Sequence, residues 1–350
     1  MERKLASIQK VSELFPIEGA DKIEGCSVLG WQCVVQKGEF KPGDIGVYFE
    51  IDSVLPSDKP EFAFLEPRKY RIRTIRLRKQ IAQGLMLPLS KITYADLSSF
   101  QEGDDVTELL GVQKYEPPEE SEDGANFRSR RRGVFPSFLR KTDELRIQSV
   151  PGFLDRHRGK TFYATEKVDG SSVTLFYLQD ALYGKESGYF GVCSRNMEVM
   201  KDDGDSYRNA FWEAVENFDL ENKIKSLGAN ICVQGELVGT GIQKNKYKLT
   251  DRKIFLYSAY DVVTQRYINR DSLVQIANAL GLDTVPMLGE FVLNHTVSEL
   301  VEMSRGYSKL NPATLREGIV CRPIEECGDP ETGRASFKAI QPEFLLKYAE

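Results

Sequence analysis

Histidine is scarce in this 350-residue chain: only His157 and His295 occur, far apart in sequence. That scarcity weighs against a histidine-dependent triad or a histidine-rich metal centre, so lysines and carboxylates must carry any chemistry. The six cysteines (Cys26, Cys33, Cys193, Cys232, Cys321 and Cys327) include no Cys-x-x-Cys pair. They read as reduced thiols, not as a zinc site or a disulfide frame. No apolar run is long enough to span a bilayer, and Met1-Glu2-Arg3-Lys4-Leu5 does not open a signal peptide. A cytoplasmic protein with no membrane partner is expected. An excess of positive charge is missing too: the formal net charge is −5, which gives no global argument for nucleic-acid binding.

The distribution of charge is more telling than its sum. From Arg68 to Lys79 the chain reads R-K-Y-R-I-R-T-I-R-L-R-K, with seven cations and no acid. This local basic footprint lies inside a β-rich region, residues 1–110. Short apolar segments recur there between turns: Trp31-Gln32-Cys33-Val34-Val35, Ile45-Gly46-Val47-Tyr48-Phe49, and Pro42-Gly43-Asp44 between them. Their length and spacing suit a partly open five-stranded barrel of the oligonucleotide-binding kind. Arg71, Arg73, Arg76 and Arg78 alternate with Ile72, Ile75 and Leu77, so they are expected to present one nucleic-acid-binding face, bent between Arg73 and Arg76. Residues 111–134 lose periodicity, an acidic Pro-containing block preceding Arg128-Ser129-Arg130-Arg131-Arg132. They read as a flexible charged linker.

A second domain, residues 135–350, is expected to be α+β with mixed sheets. Thr142-Asp143-Glu144 reads as the start of a capped helical turn carrying Arg146. Apolar spacing predicts helices over residues 207–227, after Asn269 up to Gly281, and over residues 297–305. At its centre stands T-E-K-V-D-G-S-S-V, residues 165–173. The β-formers on either side make it a strand pair joined by a tight turn, with Lys167 and Asp169 on one strand face. Glu236, Asp261, Glu317 and Lys338 stand at the ends or edges of other apolar strands. A lysine nucleophile, a set of carboxylates, a second lysine and a strand aromatic are what covalent nucleotidyl transfer requires. Carboxylates hold a divalent metal on the α-phosphate, directly or through its waters. The metal favours a neutral lysine, and the second lysine offsets charge growing on that phosphate.

The run Lys167-Val168-Asp169-Gly170 resembles motif I of the covalent nucleotidyltransferases, the ATP-dependent DNA and RNA ligases and mRNA capping enzymes. Ser194-Arg195-Asn196 is similar to their motif Ia, Gly235-Glu236-Leu237-Val238 to motif III, and Tyr257-Ser258-Ala259-Tyr260-Asp261 to motif IIIa. Glu317-Gly318-Ile319-Val320 resembles motif IV and Phe337-Lys338-Ala339-Ile340 motif V. Ile340 is a departure, since many relatives have a second lysine there, and Lys347 is the nearest alternative. The segment from Lys141 to Gln148 points to the RNA-ligase branch. Residues 38–56 and the stretch G-T-G-I-Q-K-N-K-Y-K-L, residues 239–249, resemble the RNA ligases of the Deinococcus and Naegleria type.

That resemblance implies an α+β nucleotidyltransferase fold, an ATP-grasp-like ligase adenylylation domain with mixed β-sheets and flanking helices, preceded by an all-β OB-fold domain. It also implies ATP with Mg2+ or Mn2+, and sealing of RNA 3′-OH and 5′-phosphate ends through lysyl-AMP and RNA-adenylate. The partner would be nicked duplex RNA or an RNA/DNA hybrid, and a monomer is expected. By similarity, Lys167 is the nucleophile, with Lys338 and Arg146 catalytic beside it. Glu166, Arg195, Glu236, Tyr257 and Lys338 would bind the nucleotide, with Tyr260 as the alternative to Tyr257 for stacking on adenine. Asp169, Glu236, Asp261 and Glu317 would organise the metal. His157 has no role and is expected at the surface. A capping guanylyltransferase or a DNA ligase would place its oligonucleotide-binding domain after motif V. A non-catalytic RNA-binding protein would make the ordered acids and Lys167 incidental.

Overall fold

Period-two alternation and frequent turns drive the first third of the chain into strands, as the burial of every second residue along Trp31–Gln36 shows. The structure, a computed structural model, describes residues 3–115, 131–201 and 209–348. Its first strands are β1 (Ala6–Pro16), β2 (Ile23–Val28), β3 (Trp31–Gln36), β4 (Ile45–Phe49), β5 (Ser53–Val54), β6 (Thr74–Leu77), β7 (Gln80–Gln83), β8 (Leu85–Pro88) and β9 (Gln113–Lys114). Five form one antiparallel sheet in the order β3-β2-β1-β4-β8. The open side curls shut where Cys33 Sγ and the Tyr48 hydroxyl both donate to the Gln83 carbonyl, the latter at 2.9 Å. Trp31, Tyr48, Phe49 and Phe62 fill the interior.

Two expectations change here. Gln113 and Lys114 pair with Ser53 and Val54, and Arg131–Val134 forms a strand, β10. Both ends of the expected linker are therefore ordered; residues 116–130 lie outside the described residues. The four arginines do not share one face either. Arg71 is buried and bridged to Val54, whereas Arg73, Arg76 and Arg78 are exposed on and around the β6–β7 hairpin.

The remaining elements are α1 (Phe153–Arg156), β11 (Thr161–Lys167), β12 (Ser171–Leu178), β13 (Tyr189–Cys193), β14 (Met197–Val199), α2 (Ala210–Asn217), α3 (Leu220–Ser226), β15 (Ile231–Val238), β16 (Lys253–Asp261), α4 (Arg270–Leu280), β17 (Asp283–Thr284), β18 (Met287–Val292), α5 (Val297–Met303), β19 (Gly318–Pro323), β20 (Gly328–Asp329), β21 (Gly333–Arg334), β22 (Phe337–Ile340) and α6 (Pro342–Tyr348). They build a seven-stranded sheet, β10-β14-β13-β12-β15-β16-β17, and a four-stranded sheet, β18-β11-β19-β22. Helices α2, α3 and α4 cover one face of the larger sheet through Trp212, Val215, Ile224 and Leu273. Asn269 caps α4 at its start and Gly281, with φ +70°, ends it. The α5 helix carries a capping box between Thr296 and Glu299.

The helix expected over residues 207–227 is two helices, broken where Asp219 takes φ +52°; Tyr207 lies outside the described residues. The helical turn expected after Thr142 is absent: the chain has no helix or strand up to Arg146, which makes an isolated bridge to Lys338, and a short 3-10 turn, Ile147–Ser149, follows. Most consequential is the expected strand pair around Lys167. It is no hairpin: β11 pairs with β18 and β19, whereas β12 pairs with β13 and β15. The Lys167-to-Gly170 turn therefore crosses from one sheet to the other. Lys167, where the turn begins, lines the crevice between them. Gly170 is needed for the crossing, because a Cβ there would lie 2.3 Å from the Leu237 carbonyl oxygen. Among the described residues, no helix is long and apolar enough to cross a membrane.

Candidate active site

The crevice between the two sheets is a cavity of about 350 Å³, which Lys167, Glu236, Tyr257, Glu317 and Lys338 all line. Strand register explains the gathering. Gly318 faces Lys167 on one side and Ile340 on the other, so Glu317 and Lys338 flank Lys167 within one sheet. From the opposite sheet, Ser172 faces Glu236 across β12–β15. Lys167 Nζ donates to Glu317 Oε2 at 2.7 Å. The Gly170 amide donates to Glu236 Oε1 at 3.1 Å.

The ionisation of the cluster follows from its crowding. Burial pulls the Lys167 ammonium down, but the nearby Glu317, Glu236 and Asp169 carboxylates outweigh it and hold the pKa above the usual lysine value. Burial, with Glu317 and Asp169 close by, pushes Glu236 up to about 8. Burial raises Glu317 as well, against the pull of Lys167. Lys338 goes the other way: burial, then the charges of Lys167 and Arg146, bring it down to about 7.

Asp169 stands beside this cavity, ion-paired with Lys246, while its amide donates to the Tyr247 hydroxyl at 2.7 Å. Asp169, Glu236 and Glu317 suit a divalent ion chemically, as hard oxygen donors. Among the described residues no three acidic, histidine or cysteine side chains converge as a direct ligand set. Asp261 is not brought here. It pairs with Ile231, five positions along β15 from Glu236, and its Oδ1 accepts from the Val263 and Thr264 amides at 3.0 and 2.6 Å. It closes a turn, and the expectation that it joins the metal set is not met.

Of the two tyrosines, Tyr257 lines the cavity, its hydroxyl 3.3 Å from Ser172 Oγ. Tyr260, three residues on, points to the opposite side of the strand, is fully buried, and accepts from the Arg140 amide at 2.8 Å. Tyr260 is thereby removed as the stacking alternative. Arg195 holds Asp143 at the cavity edge through two hydrogen bonds of 2.8 Å. Glu166 is buried, accepting from the Lys309 amide at 2.8 Å, with its second oxygen unpartnered. His157 is buried rather than superficial: its Nε2 lies 2.9 Å from Asp329 Oδ2, and neither residue lines the cavity.

The N-terminal domain supplies part of the wall. Arg146 reaches Asp52 at 3.7 Å and lies 5.7 Å over the Trp31 ring. Asp52 in turn binds Arg71 at 2.9 Å, and Arg71 stacks 3.4 Å over Tyr115. Arg3, Asp52, Arg71, Lys114 and Tyr115 all face the cavity, so one side of it is cationic. The Ser149 hydroxyl donates to Glu50 at 2.6 Å and the Gly30 amide to the Gln148 carbonyl at 3.0 Å, which fixes the two domains at this wall. Arg73, Arg76 and Arg78 do not line it. Sequence reasoning missed Lys246, although it lies in the G-T-G-I-Q-K-N-K-Y-K-L stretch. It also missed Arg3, Asp52 and Tyr115, for which no local pattern signals a place in a cleft built by another domain.

Known proteins share this arrangement. An OB-fold domain family matches residues 5–89 and the RNA ligase family matches residues 160–340. Among curated proteins, none matches the chain. Among solved structures, a Naegleria gruberi RNA ligase variant with ATP and Mn is 36% identical, with a TM-score of 0.87, 99% of this chain covered and 100% of that one. Another variant of the same ligase, with AMP and Mn, is 38% identical at a TM-score of 0.86, with 99% of each chain covered. The ligase with PPi gives the same identity, coverage and TM-score. With more than half its length matched by the family and its whole fold shared with solved members, this chain belongs to the RNA ligase family.

Proposed function

We propose that this chain is an ATP-dependent RNA ligase, using Mg2+ or Mn2+, that seals 3′-OH/5′-phosphate nicks in duplexes with RNA on the 3′-OH side. The observation that carries this reading is the convergence of Lys167, Glu317, Glu236 and Lys338 on one crevice in a member of the RNA ligase family. A Naegleria relative solved with ATP and Mn supports the choice of nucleotide and metal.

In the proposed reaction Lys167 Nζ attacks the α-phosphorus of ATP. An N–P bond forms, the bond to the β-phosphate oxygen breaks, and pyrophosphate leaves while Nζ loses its proton. Lys338 and Arg146 bear on the phosphate chain, Lys338 on charge growing at the α-phosphate and Arg146 on the outgoing pyrophosphate. Tyr257 stacks on the base, and Arg195 and Glu166 contact the nucleotide. Asp169, Glu236 and Glu317 would hold the divalent ion, which when bound shields phosphate charge and offsets the carboxylates that keep Lys167 protonated. An RNA 5′-phosphate oxygen then attacks the adenylyl phosphorus and the N–P bond breaks, freeing Lys167. Finally a 3′-OH attacks the activated 5′-phosphorus and AMP leaves.

The exposed Arg73, Arg76 and Arg78 grip the duplex, whereas Arg71 belongs to the cavity wall. The substrate assignment is tested by offering nicked duplexes with RNA or DNA on the 3′-OH side, and single-strand ends. Preferential sealing of the RNA-containing nick is expected. Equal joining of single-strand ends would overturn the duplex part, and no joining of any RNA would overturn the ligase reading.

A further inference from the structure

The face of β19 that meets the cavity recedes from the nucleophile in steps of two. Across the β11–β19 ladder, Lys167 faces Gly318, Thr165 faces Val320, and Tyr163 faces Arg322. Alternate residues share a face at ~3.3 Å per residue, so Val320 stands about 7 Å and Arg322 about 13 Å along the ladder from the Lys167 level. Lys167, Thr165, Val320 and Arg322 all line the cavity, so a nucleotide with its α-phosphate at Lys167 and its base laid along this face would bring the edge of that base to Arg322. Tyr257 flanks the same stretch, its ring centre 5.9 Å from the Arg322 guanidinium carbon.

Arg322 is an unusual residue to find there. It is 3% exposed, yet only Nη2 is engaged, donating to Glu144 Oε1 at 2.9 Å. Its Nε and Nη1 have no partner. Burying a charged donor without its hydrogen bonds is unfavourable, so such a group is suited to a ligand that completes them. Glu144 is itself anchored, accepting from the Ser336 hydroxyl, and each of its oxygens keeps a further lone pair. The two side chains thus offer N–H donors and a carboxylate acceptor next to one another.

We propose that Arg322, held in place by Glu144, is a specificity-determining residue that reads the edge of the purine base. Arg322 donates to a ring nitrogen beside the exocyclic amine, N1 or N7, and Glu144 accepts from that amine. Adenine presents this pairing of acceptor and donor; guanine puts a carbonyl oxygen where adenine has the amine, and that oxygen would face the Glu144 carboxylate. The inference rests on the nucleotide site proposed above and adds how that site selects its base.

The test is the initial rate of covalent labelling of the full chain by α-labelled nucleotides. ATP, GTP, purine riboside triphosphate, 1-deaza-ATP and 7-deaza-ATP are compared in the native protein and in Arg322→Gln. In the native protein, loss of the amine and loss of one of the two ring nitrogens should each slow labelling about tenfold or more, and GTP should label least. In Arg322→Gln, labelling by ATP should fall by a similar factor, and the penalty for the sensitive deaza analogue should vanish. Native protein labelled equally well by ATP and both deaza analogues would overturn the inference while leaving the ligase reading intact. So would an Arg322→Gln protein that is slowed with every nucleotide but keeps the deaza penalty. No label from any nucleotide in the native protein would overturn the ligase reading, and this inference with it.

Discussion

Lys167 and Lys338 face one cavity from strands on either side of β19, and their surroundings push them in opposite directions. Burial disfavours the charged form of both. At Lys167 three carboxylates more than offset it; at Lys338 the charges of Lys167 and Arg146 add to it, and its pKa falls to about 7. The cavity thus has an acidic side and a cationic side. In the proposed reaction the acidic side holds Lys167 in reserve as an ammonium until a cation shields the carboxylates. The cationic side is crowded with like charge, which in the same proposal the polyphosphate of ATP relieves. One residue type serves two purposes because its neighbours differ.

Breaking the cationic side should have the largest effect. Lys338→Met is expected to slow lysine adenylylation about 10²–10³-fold. Its effect on the unliganded protein should be the reverse. A lysine whose folded pKa lies below its unfolded value loses stability as pH falls from the unfolded pKa towards the folded one. The penalty is full below about pH 7 and absent above the unfolded value near 10.5. Lys338→Met should therefore raise the melting temperature at pH 6 and leave it nearly unchanged above pH 10. Breaking the acidic side with Glu317→Gln should slow adenylylation about 10²-fold, with a requirement for more divalent metal, read from rate against metal concentration.

Arg71→Ala sharpens the same contrast. Arg71 stands on the cationic wall, so labelling by ATP should fall about tenfold. Alanine at both Arg76 and Arg78 should spare labelling and weaken nick sealing. It should also lower the slope of log affinity for RNA against log salt by about one for each phosphate no longer neutralised. The smallest effect on catalysis is expected at Asp261. Asp261→Ala should leave labelling within about twofold and lower stability by about 1 kcal/mol in denaturant unfolding, because only a turn loses its acceptor.

The contrast between Glu236 and Asp261 shows how far local pattern reaches. Both are acids at the ends of apolar strands, and both fall in motif-like runs. Antiparallel pairing puts Asp261 at the opposite end of the β15–β16 ladder from Glu236, and no local period records which end of a ladder faces a cleft. The strands themselves, and the limits of α4 at Asn269 and Gly281, were legible because alternation and capping residues act within a few positions. The placement of β11 and β12 in different sheets was not, since a strand's partner is settled by packing across the whole domain. The same limit explains the two cation groups. Arg71 and Arg76 belong to one basic run, yet Arg71 is drawn inward by Asp52 and Tyr115 while Arg76 remains on a hairpin.

The central claim is that the Lys167 amine becomes covalently attached to AMP. Incubation with ATP and Mn2+, followed by denaturation, proteolysis and mass spectrometry, reads this directly. The expected result is an adenylyl adduct on the peptide containing Lys167 and no adduct in Lys167→Met, with Lys338 unmodified throughout. An adduct mapped to Lys338, or one that persists in Lys167→Met, would contradict the account.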